Sequence, residues 1–175
     1  IRDQETADLA VQASLTGHLV FATLHTNNAS DALPRLHDMG AEAYLLAASM
    51  TAIIAQRVVR KIHEDCKVEY SPPPAEISEM KETLGALWQV KEPFKLFKGK
   101  GDPDCNGSGY YGRLGIFEVL PVTPKISRLI LEKAPSSVIE DKAIEEGMIS
   151  MKQDGYLKAI EGATTVEEVL RVAQE

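Results

Sequence analysis

Two pairs of potential metal ligands share the same short spacing in the middle of the chain. His63 and Cys66 form one pair and Asp102 and Cys105 form the other, with two residues between the members of each. Structural zinc sites are built this way, because a pair on a tight turn supplies two corners of a tetrahedron. Asp102 is a poor fourth ligand for such a site. Residue type leaves two interpretations open, a metal site and two free thiols in a loop, and favours the thiols.

A second group of polar side chains follows an apolar run near the start of the chain. Residues 18–24 are almost continuously apolar, which predicts a strand buried on both faces. His25, Thr26 and Asn27 leave this strand at its carboxyl end, where ligands bind in open α/β sheets. One interpretation is a phosphate sensor. The other is capping of the strand and the following turn, and residue type alone favours capping.

The elements that must position these residues follow from the spacing of apolar side chains and from the turn residues. Helical periodicity predicts one helix over residues 6–15, ended by Gly17, and two more over 29–39 and 41–61, the last of them interior. The prolines at 72–74 and the glycine-rich stretch 99–112 predict a small, weakly cored insertion, with a helix over 76–88 and a strand over 94–97. A strand over 113–120 and helices over 125–132, 136–146, 150–160 and 165–173 complete the predicted chain.

The composition limits the classes of partner. The 175 residues are 44% hydrophobic and 26% charged, with a net charge of -7, which argues against nucleic acid or an anionic membrane as the main partner. The sequence contains no apolar run of the roughly 18 residues that a membrane span requires, and no signal peptide. Two cysteines are too few for a disulfide scaffold, so we expect a cytoplasmic protein. The first residue is not Met, and we expect the chain to be part of something longer.

Four short motifs in a fixed order resemble those of the ATPases that drive type II secretion and type IV pilus assembly. The motifs are IRDQET at 1–6, TGHLVFATLHTN at 16–27, QRVVR at 56–60 and GYYGRLGIFE at 109–118. The resemblance runs from end to end and includes QDG at 153–155 and GATT at 162–165. It covers the whole chain, and the order of the motifs makes it specific.

The resemblance implies an α/β fold taken from a hexameric, RecA-like P-loop motor. It implies the C-terminal part of the ATPase core over residues 1–61, a small inserted subdomain over 62–112, and a strand plus C-terminal helical subdomain over 113–175. The implied cofactors of the full-length protein are ATP and Mg²⁺. Its implied partners are further copies in a homo-hexamer and platform proteins at the inner membrane, where it would lie on the cytoplasmic side. The resemblance fits the ATPases of both systems, pilus assembly and secretion.

Individual roles carry over only where the motifs match. Ile1, Arg2 and Asp3 are similar to the tail of the Walker B segment, which places Arg2 on the catalytic side. His25 is similar to the histidine that senses the γ-phosphate, with Thr26 and Asn27 beside the nucleotide. A donor that reaches the terminal phosphate stabilises the charge of the phosphoryl-transfer transition state. The phosphate-binding loop would precede Ile1, so we expect the chain alone to be inactive. The alternative is a stand-alone interaction or metal-binding module.

The resemblance also bears on the paired ligands. Assembly ATPases commonly carry two Cys-x-x-Cys pairs, and retraction motors of the family lack this insertion. Here His63 and Asp102 replace two of the four cysteines. We therefore expect both pairs to lie on facing turns of one subdomain. Packing of its apolar side chains is favoured over a bound zinc ion as the source of its stability.

Overall fold

The computed structural model describes residues 1–91 and 93–173, and these residues form eight helices and four strands. The helices are α1 (Gln4–Leu15), α2 (Ala32–Asp38), α3 (Ala43–Ser49), α4 (Pro74–Leu84), α5 (Pro124–Leu131), α6 (Ser136–Glu145), α7 (Met151–Ile160) and α8 (Val166–Ala173). The strands are β1 (Ala52–Ile62), β2 (Lys67–Tyr70), β3 (Leu96–Gly99) and β4 (Tyr110–Pro121).

The strands form two separate two-stranded sheets. β1 pairs with β4, and β2 pairs with β3 in antiparallel register, with Lys67 opposite Gly99 and Tyr70 opposite Leu96. The chain divides into two compact units. The first unit comprises residues 1–55 and 118–149, and the second unit comprises the rest of the described chain. None of the described helices combines the length and the apolar character needed to cross a membrane.

The first unit is built around apolar side chains from α2, α3, α5, α6 and the end of β4. Its buried core residues include Leu33, Leu46, Leu120, Ile126 and Ile139. Local signals set the helix ends. Asp3 caps α1 by accepting a hydrogen bond from the main-chain N–H of Thr6 at 2.8 Å. Gly17 ends that helix at φ +93°, a conformation that favours glycine.

The second unit buries the apolar faces of α4, α7 and α8 around β3. Its buried core includes Met80, Leu84, Leu96, Tyr156 and Val169. A capping box opens α7, where Ser150 and Gln153 each accept the main-chain N–H of the other. Apolar side chains from residues 62–112 and from residues 113–175 therefore share one core. The three-part division inferred from the sequence stays a prediction.

Two predicted elements are wrong. Residues 41–61 do not form one interior helix, because α3 ends at Ser49 and β1 begins at Ala52. Residues 51–59 are rich in threonine, valine and isoleucine, which favour strands, and β4 supplies a partner strand. Ile54, predicted to be interior, is 63% exposed because it lies on the outer face of β1.

The strand predicted over residues 18–24 is the second wrong element. These residues are not a buried strand in the described chain: Leu19 and Phe21 are 81% and 88% exposed, and no described strand pairs with the segment. An apolar run favours burial, but it forms a strand only where an adjacent strand completes its hydrogen bonds. The other predicted helices and the strand over 113–120 are found within a few residues of their expected bounds.

Candidate functional site

His25, Thr26 and Asn27 lead into a tightly bonded turn. The Oδ1 atom of Asn28 accepts a hydrogen bond from the main-chain N–H of Asp31 at 2.8 Å, and the Thr26 hydroxyl donates to the carbonyl oxygen of Asn28 at 3.0 Å. Asparagine and threonine commonly build such turns by bonding the nearby backbone. The turn, residues 26–31, therefore has a shape that its own side chains define.

Two acidic side chains from other elements also reach this turn. Glu118 of β4 accepts a hydrogen bond from the main-chain N–H of Ala29 at 2.8 Å, and both residues are buried. The Ser30 hydroxyl lies 3.4 Å from Oε2 of Glu140 in α6 and 3.2 Å from Oδ1 of Asn28, so its single proton serves one acceptor at a time. Neither of these two contacts was predicted, since neither acid is near the turn along the chain.

His25, Thr26 and Asn27 line one open cavity of about 320 Å³. The other lining residues come from the turn and from α2; they are Asp31, Pro34, Arg35 and Asp38. The side chains of His25 and Arg35 are exposed and can donate hydrogen bonds to an anion such as a phosphate oxygen. The two aspartates add negative charge, so an anionic ligand here would be favoured by an accompanying cation.

The contribution of α2 to this cavity was not predicted. Asp31, Arg35 and Asp38 follow one another at steps of four and three residues, which places them on one helix face. That spacing was the available signal. The same spacing is also typical of an ordinary solvent-exposed helix face, so it does not indicate a site by itself.

Arg2 is exposed and is not among the described residues that line this cavity. The structure does place its segment beside that of His25, because the main-chain nitrogen of Ile1 donates a hydrogen bond to the carbonyl oxygen of Thr23 at 2.6 Å. Asp3 serves as the cap of α1, and the hydrogen bond from the Thr6 main chain lowers the pKa of its carboxyl group. The acidic opening of the chain therefore starts a helix.

The paired ligands of the second unit converge. One ligand atom from each of His63, Cys66, Asp102 and Cys105 lies within 4.8 Å of the others. His63 follows β1, and Cys66 closes the short helical turn Glu64–Cys66 that leads into β2. Asp102 and Cys105 lie in the turn that follows β3. His63, Cys66 and Cys105 are buried, and Asp102 is partly exposed.

Main-chain N–H groups point at both sulfur atoms. Gly101 donates to Sγ of Cys66 at 3.4 Å, while Asp102 and Gly109 each donate to Sγ of Cys105 at 3.2 Å. Such bonds stabilise negative charge on sulfur and are typical of the surroundings of metal-bound thiolates. Burial raises the pKa of the Cys66 thiol, whereas the hydrogen bond from the Cys105 main chain lowers the pKa of the Asp102 carboxyl group.

The imidazole and the carboxylate of the cluster are in direct contact. Nδ1 of His63 is buried and lies 2.9 Å from Oδ2 of Asp102. One nitrogen, two sulfurs and a carboxylate oxygen match the number and type of donors that zinc accepts. The residues therefore fit a metal ion.

Two pairs of glycines allow close backbone contacts in the turn that carries Asp102 and Cys105. A Cβ atom on Gly99 would lie 2.0 Å from the carbonyl oxygen of Gly109, and one on Gly101 would lie 2.6 Å from that of Gly107. No side chain fits at either close approach. The glycine-rich composition that predicted only a loop thus serves to fold Asp102 and Cys105 back toward the turn that carries His63 and Cys66.

The family model described as Type II/IV secretion system protein matches residues 1–171. The chain belongs to this family. The resemblance drawn from the four motifs is thereby confirmed.

Members of this secretion-system family with curated names are similar over almost the whole chain. The type IV pilus assembly ATPase PilB of Thermus thermophilus is 43% identical over 97% of the chain, and the type II secretion system ATPase E of Vibrio cholerae is 44% identical over 100% of it. The chain spans only 19% and 33% of the length of these two relatives. Both relatives are named as ATPases, one of each system.

Solved structures of secretion ATPases share the fold. The pilus retraction motor PilT with bound ADP matches with a TM-score of 0.63 and 24% identity, over 100% of this chain and 38% of that one. The ATPase DotB of Legionella pneumophila matches with a TM-score of 0.63 and 18% identity, over 100% and 37%. At these identities the likeness shows the fold alone, which mixes helices and strands.

Proposed function

We propose that this chain is the C-terminal portion of a hexameric ATPase that powers type IV pilus assembly or type II protein secretion. Family membership and relatives named as ATPases of both systems support the proposal. The observation that carries it is the placement of His25, Thr26 and Asn27 on one open cavity, above a turn bonded into the core of the first unit. In the full-length protein the cofactors are ATP and Mg²⁺, and the partners are platform proteins at the inner membrane.

His25 acts in this proposal on the terminal phosphate. Its side chain is exposed at the cavity and is free of the main-chain bonds that fix the turn behind it. An imidazole N–H that contacts the γ-phosphate oxygens stabilises the charge that develops as the phosphoryl group leaves. Thr26 and Asn27 supply further polar contacts, and Arg2 adds a cation on the neighbouring segment.

The experiment is a comparison of His25→Ala with the wild type in the full-length protein. A group that acts chiefly in the transition state lowers kcat more than it weakens ATP binding, and we expect kcat to fall by about 100-fold. His37→Ala is the matched control, because His37 lies in α2 outside the set of residues lining the cavity and bonds the carbonyl oxygen of Ala41. Unchanged turnover with weaker ATP binding would contradict the assigned role.

A second role, metal binding, is supported by the convergence of the four ligand atoms and by the main-chain N–H groups that point at both sulfur atoms. We propose that His63, Cys66, Asp102 and Cys105 hold one zinc ion. When bound, the ion would cross-link the turn after β1 to the turn after β3. The sequence favoured apolar packing as the source of stability here, and the two contributions are compatible, since the packed core of α4, α7 and α8 uses other residues.

Elemental analysis and melting curves test this second role. We expect one equivalent of zinc per chain and a melting temperature that falls on chelation, because a structural ion stabilises only the folded chain. The double variant Cys66→Ser/Cys105→Ser is the control and should melt at the same temperature with and without chelator. Protein that contains no zinc and melts at the same temperature with chelator would contradict the proposal. Apolar packing alone would then stabilise the subdomain, and the chain's second role would be that of a metal-free interaction module.

A further inference from the structure

Glu118 places a carboxylate in the core of the first unit. It is 4% exposed, and the next inward-facing residue of β4, Leu120, is wholly buried. The alternation of β4 therefore predicts an apolar side chain at position 118. Burying a carboxylate is costly unless hydrogen bonds replace its water. A position that alternation would fill with an apolar side chain instead carries a hydrogen-bond acceptor, which indicates that the acceptor has a task.

The bond that Glu118 accepts identifies the task. Its Oε1 atom accepts the main-chain N–H of Ala29 at 2.8 Å, and Ala29 is 1% exposed. Ala29 stands four residues after His25, inside the turn of residues 26–31. Since the side chains of Thr26 and Asn28 already define the shape of that turn, the bond to Glu118 adds something else. It fixes where the turn lies relative to β4.

We propose that Glu118 is a positioning residue for His25. By holding the main-chain N–H of Ala29, it sets the place of the turn and hence the distance of the imidazole from the terminal phosphate. This inference rests on the proposed phosphate-sensing role of His25. A displacement of about 1 Å at a transition-state contact can cost about 100-fold in rate, so a bond remote from the nucleotide is sufficient to govern turnover.

The experiment is a double-mutant cycle in the full-length protein, with kcat and KM for ATP measured for Glu118→Ala, His25→Ala and the double variant. Glu118→Ala should lower kcat by about 10- to 100-fold and change KM by less than about threefold. In the His25→Ala background, Glu118→Ala should lower kcat by less than about twofold, because the group it positions is gone. Glu118→Gln keeps an oxygen acceptor of the same shape and should remain within about threefold of the wild type.

A matched variant separates positioning from general loss of stability. Glu146 follows α6 in the same unit and bonds two residues at the start of α5, accepting a hydrogen bond from the Thr123 hydroxyl at 2.6 Å and pairing with Lys125 at 3.1 Å. Neither partner belongs to the turn of residues 26–31. Glu146→Ala should therefore lower the melting temperature while leaving kcat close to that of the wild type. If Glu118→Ala yields no folded protein, Glu118→Asp replaces it in the cycle. Aspartate keeps the charge but withdraws the acceptor by one methylene.

The outcomes distinguish the inference from the function on which it rests. If His25→Ala leaves kcat unchanged, the phosphate-sensing role fails. If His25→Ala lowers kcat, and Glu118→Ala lowers kcat by the same factor in the His25→Ala background as in the wild type, the sensing role stands and positioning by Glu118 is wrong. A Glu118→Gln variant as slow as Glu118→Ala would also overturn the inference, because it would exclude the hydrogen bond as the cause.

Discussion

At the scale of single residues, several donors converge on the buried carboxylate of Glu168. Glu168 of α8 has no exposed side-chain surface. Arg171 donates two hydrogen bonds to its carboxylate, at 2.8 and 2.7 Å, and Arg60 donates two more, from its main-chain nitrogen at 2.9 Å and from Nη2 at 2.7 Å. The bonds from Arg171, followed by those from Arg60, lower the pKa of Glu168 to about 2 against the opposing effect of burial.

This pKa gives a prediction for stability against pH. Because the folded pKa of Glu168 lies below its ordinary value of 4.5, the carboxylate stabilises the fold above about pH 4.5 and loses that contribution as the pH falls toward 2. We expect Glu168→Gln to lower the free energy of unfolding by about 1–3 kcal/mol at pH 7 and by much less near pH 2. Urea unfolding across this range measures both values. Glu167→Gln, at the exposed neighbouring position, is the control, and an equal loss at both pH values would contradict the prediction.

The departure of Asp102 from the cysteine of the family pattern gives a second prediction at this scale. Zinc and cobalt bind thiolate more strongly than carboxylate, so Asp102→Cys should tighten metal binding by about tenfold or more. Titration with Co²⁺ should also show a stronger sulfur-to-metal charge-transfer band, because a third thiolate joins the first two. Asp104→Cys adds a thiol at an exposed neighbouring position and should change neither property. Unaltered affinity in Asp102→Cys would place residue 102 outside the metal site.

The sequence brings out candidate site residues where these are close along the chain. His25, Thr26 and Asn27 are consecutive and line one cavity, and their roles stay predictions. Each metal pair was visible from its own spacing, although the convergence of the two pairs came only from the family resemblance. The bond between Ala29 and Glu118 spans 89 residues, and no local pattern records such a contact. Burial of a carboxylate is also the opposite of what alternation predicts.

At the scale of elements, the packing of α7 on α8 depends on a glycine. A Cβ atom on Gly155 would lie 2.5 Å from Cγ1 of Val169, which is buried in α8. Glycine inside a helix normally costs about 1 kcal/mol relative to alanine, so replacement by alanine would stabilise an isolated α7. In the packed pair the added methyl group collides with Val169, and overpacking of a core costs about 1–3 kcal/mol.

We therefore predict that Gly155→Ala destabilises the protein, although alanine has a higher helix propensity than glycine. The free energy of unfolding should fall by up to about 2 kcal/mol net. Val169→Ala removes the colliding methyl groups, so the double variant should lose less than the sum of the two single losses. Denaturant unfolding of the four proteins measures this coupling. A more stable Gly155→Ala variant, or strictly additive losses, would show that the two helices do not meet as described.

The elements that the sequence predicted well are those with their own end signals. The capping box of Ser150 and Gln153 and the cap of Thr123 mark α7 and α5 without reference to the rest of the fold. Residues 41–61 were misassigned because a short helix and a strand, both largely apolar, follow each other with only Met50 and Thr51 between them. Residues 18–24 were misassigned because strand formation depends on a neighbour that the segment itself does not encode.

At the scale of the whole molecule, the proposed function requires machinery for nucleotide chemistry beyond these 175 residues. The chain spans 19% and 33% of two relatives named as ATPases, and its sequence contains no Gly-x-x-x-x-Gly-Lys motif. The phosphate cradle and Mg²⁺ ligands that phosphoryl transfer requires are therefore expected from other parts of the protein. The cavity at His25 is open and has Asp31 and Asp38 in its lining, which disfavour an unaccompanied phosphate.

From this requirement we predict that the 175-residue chain, purified alone, releases phosphate from ATP at the background rate and binds ATP only weakly. The cavity offers the side chains of His25 and Arg35, with Thr26 and Asn27 beside them, whereas a phosphate-binding loop surrounds the β- and γ-phosphates with main-chain N–H groups and a lysine. Phosphate release should be measured with and without Mg²⁺, beside the full-length protein as the positive control. Turnover above background that His25→Ala abolishes would mean that this chain holds a complete active site. In that case the division of the machinery between this chain and the rest of the protein would be wrong, while the role of His25 would stand.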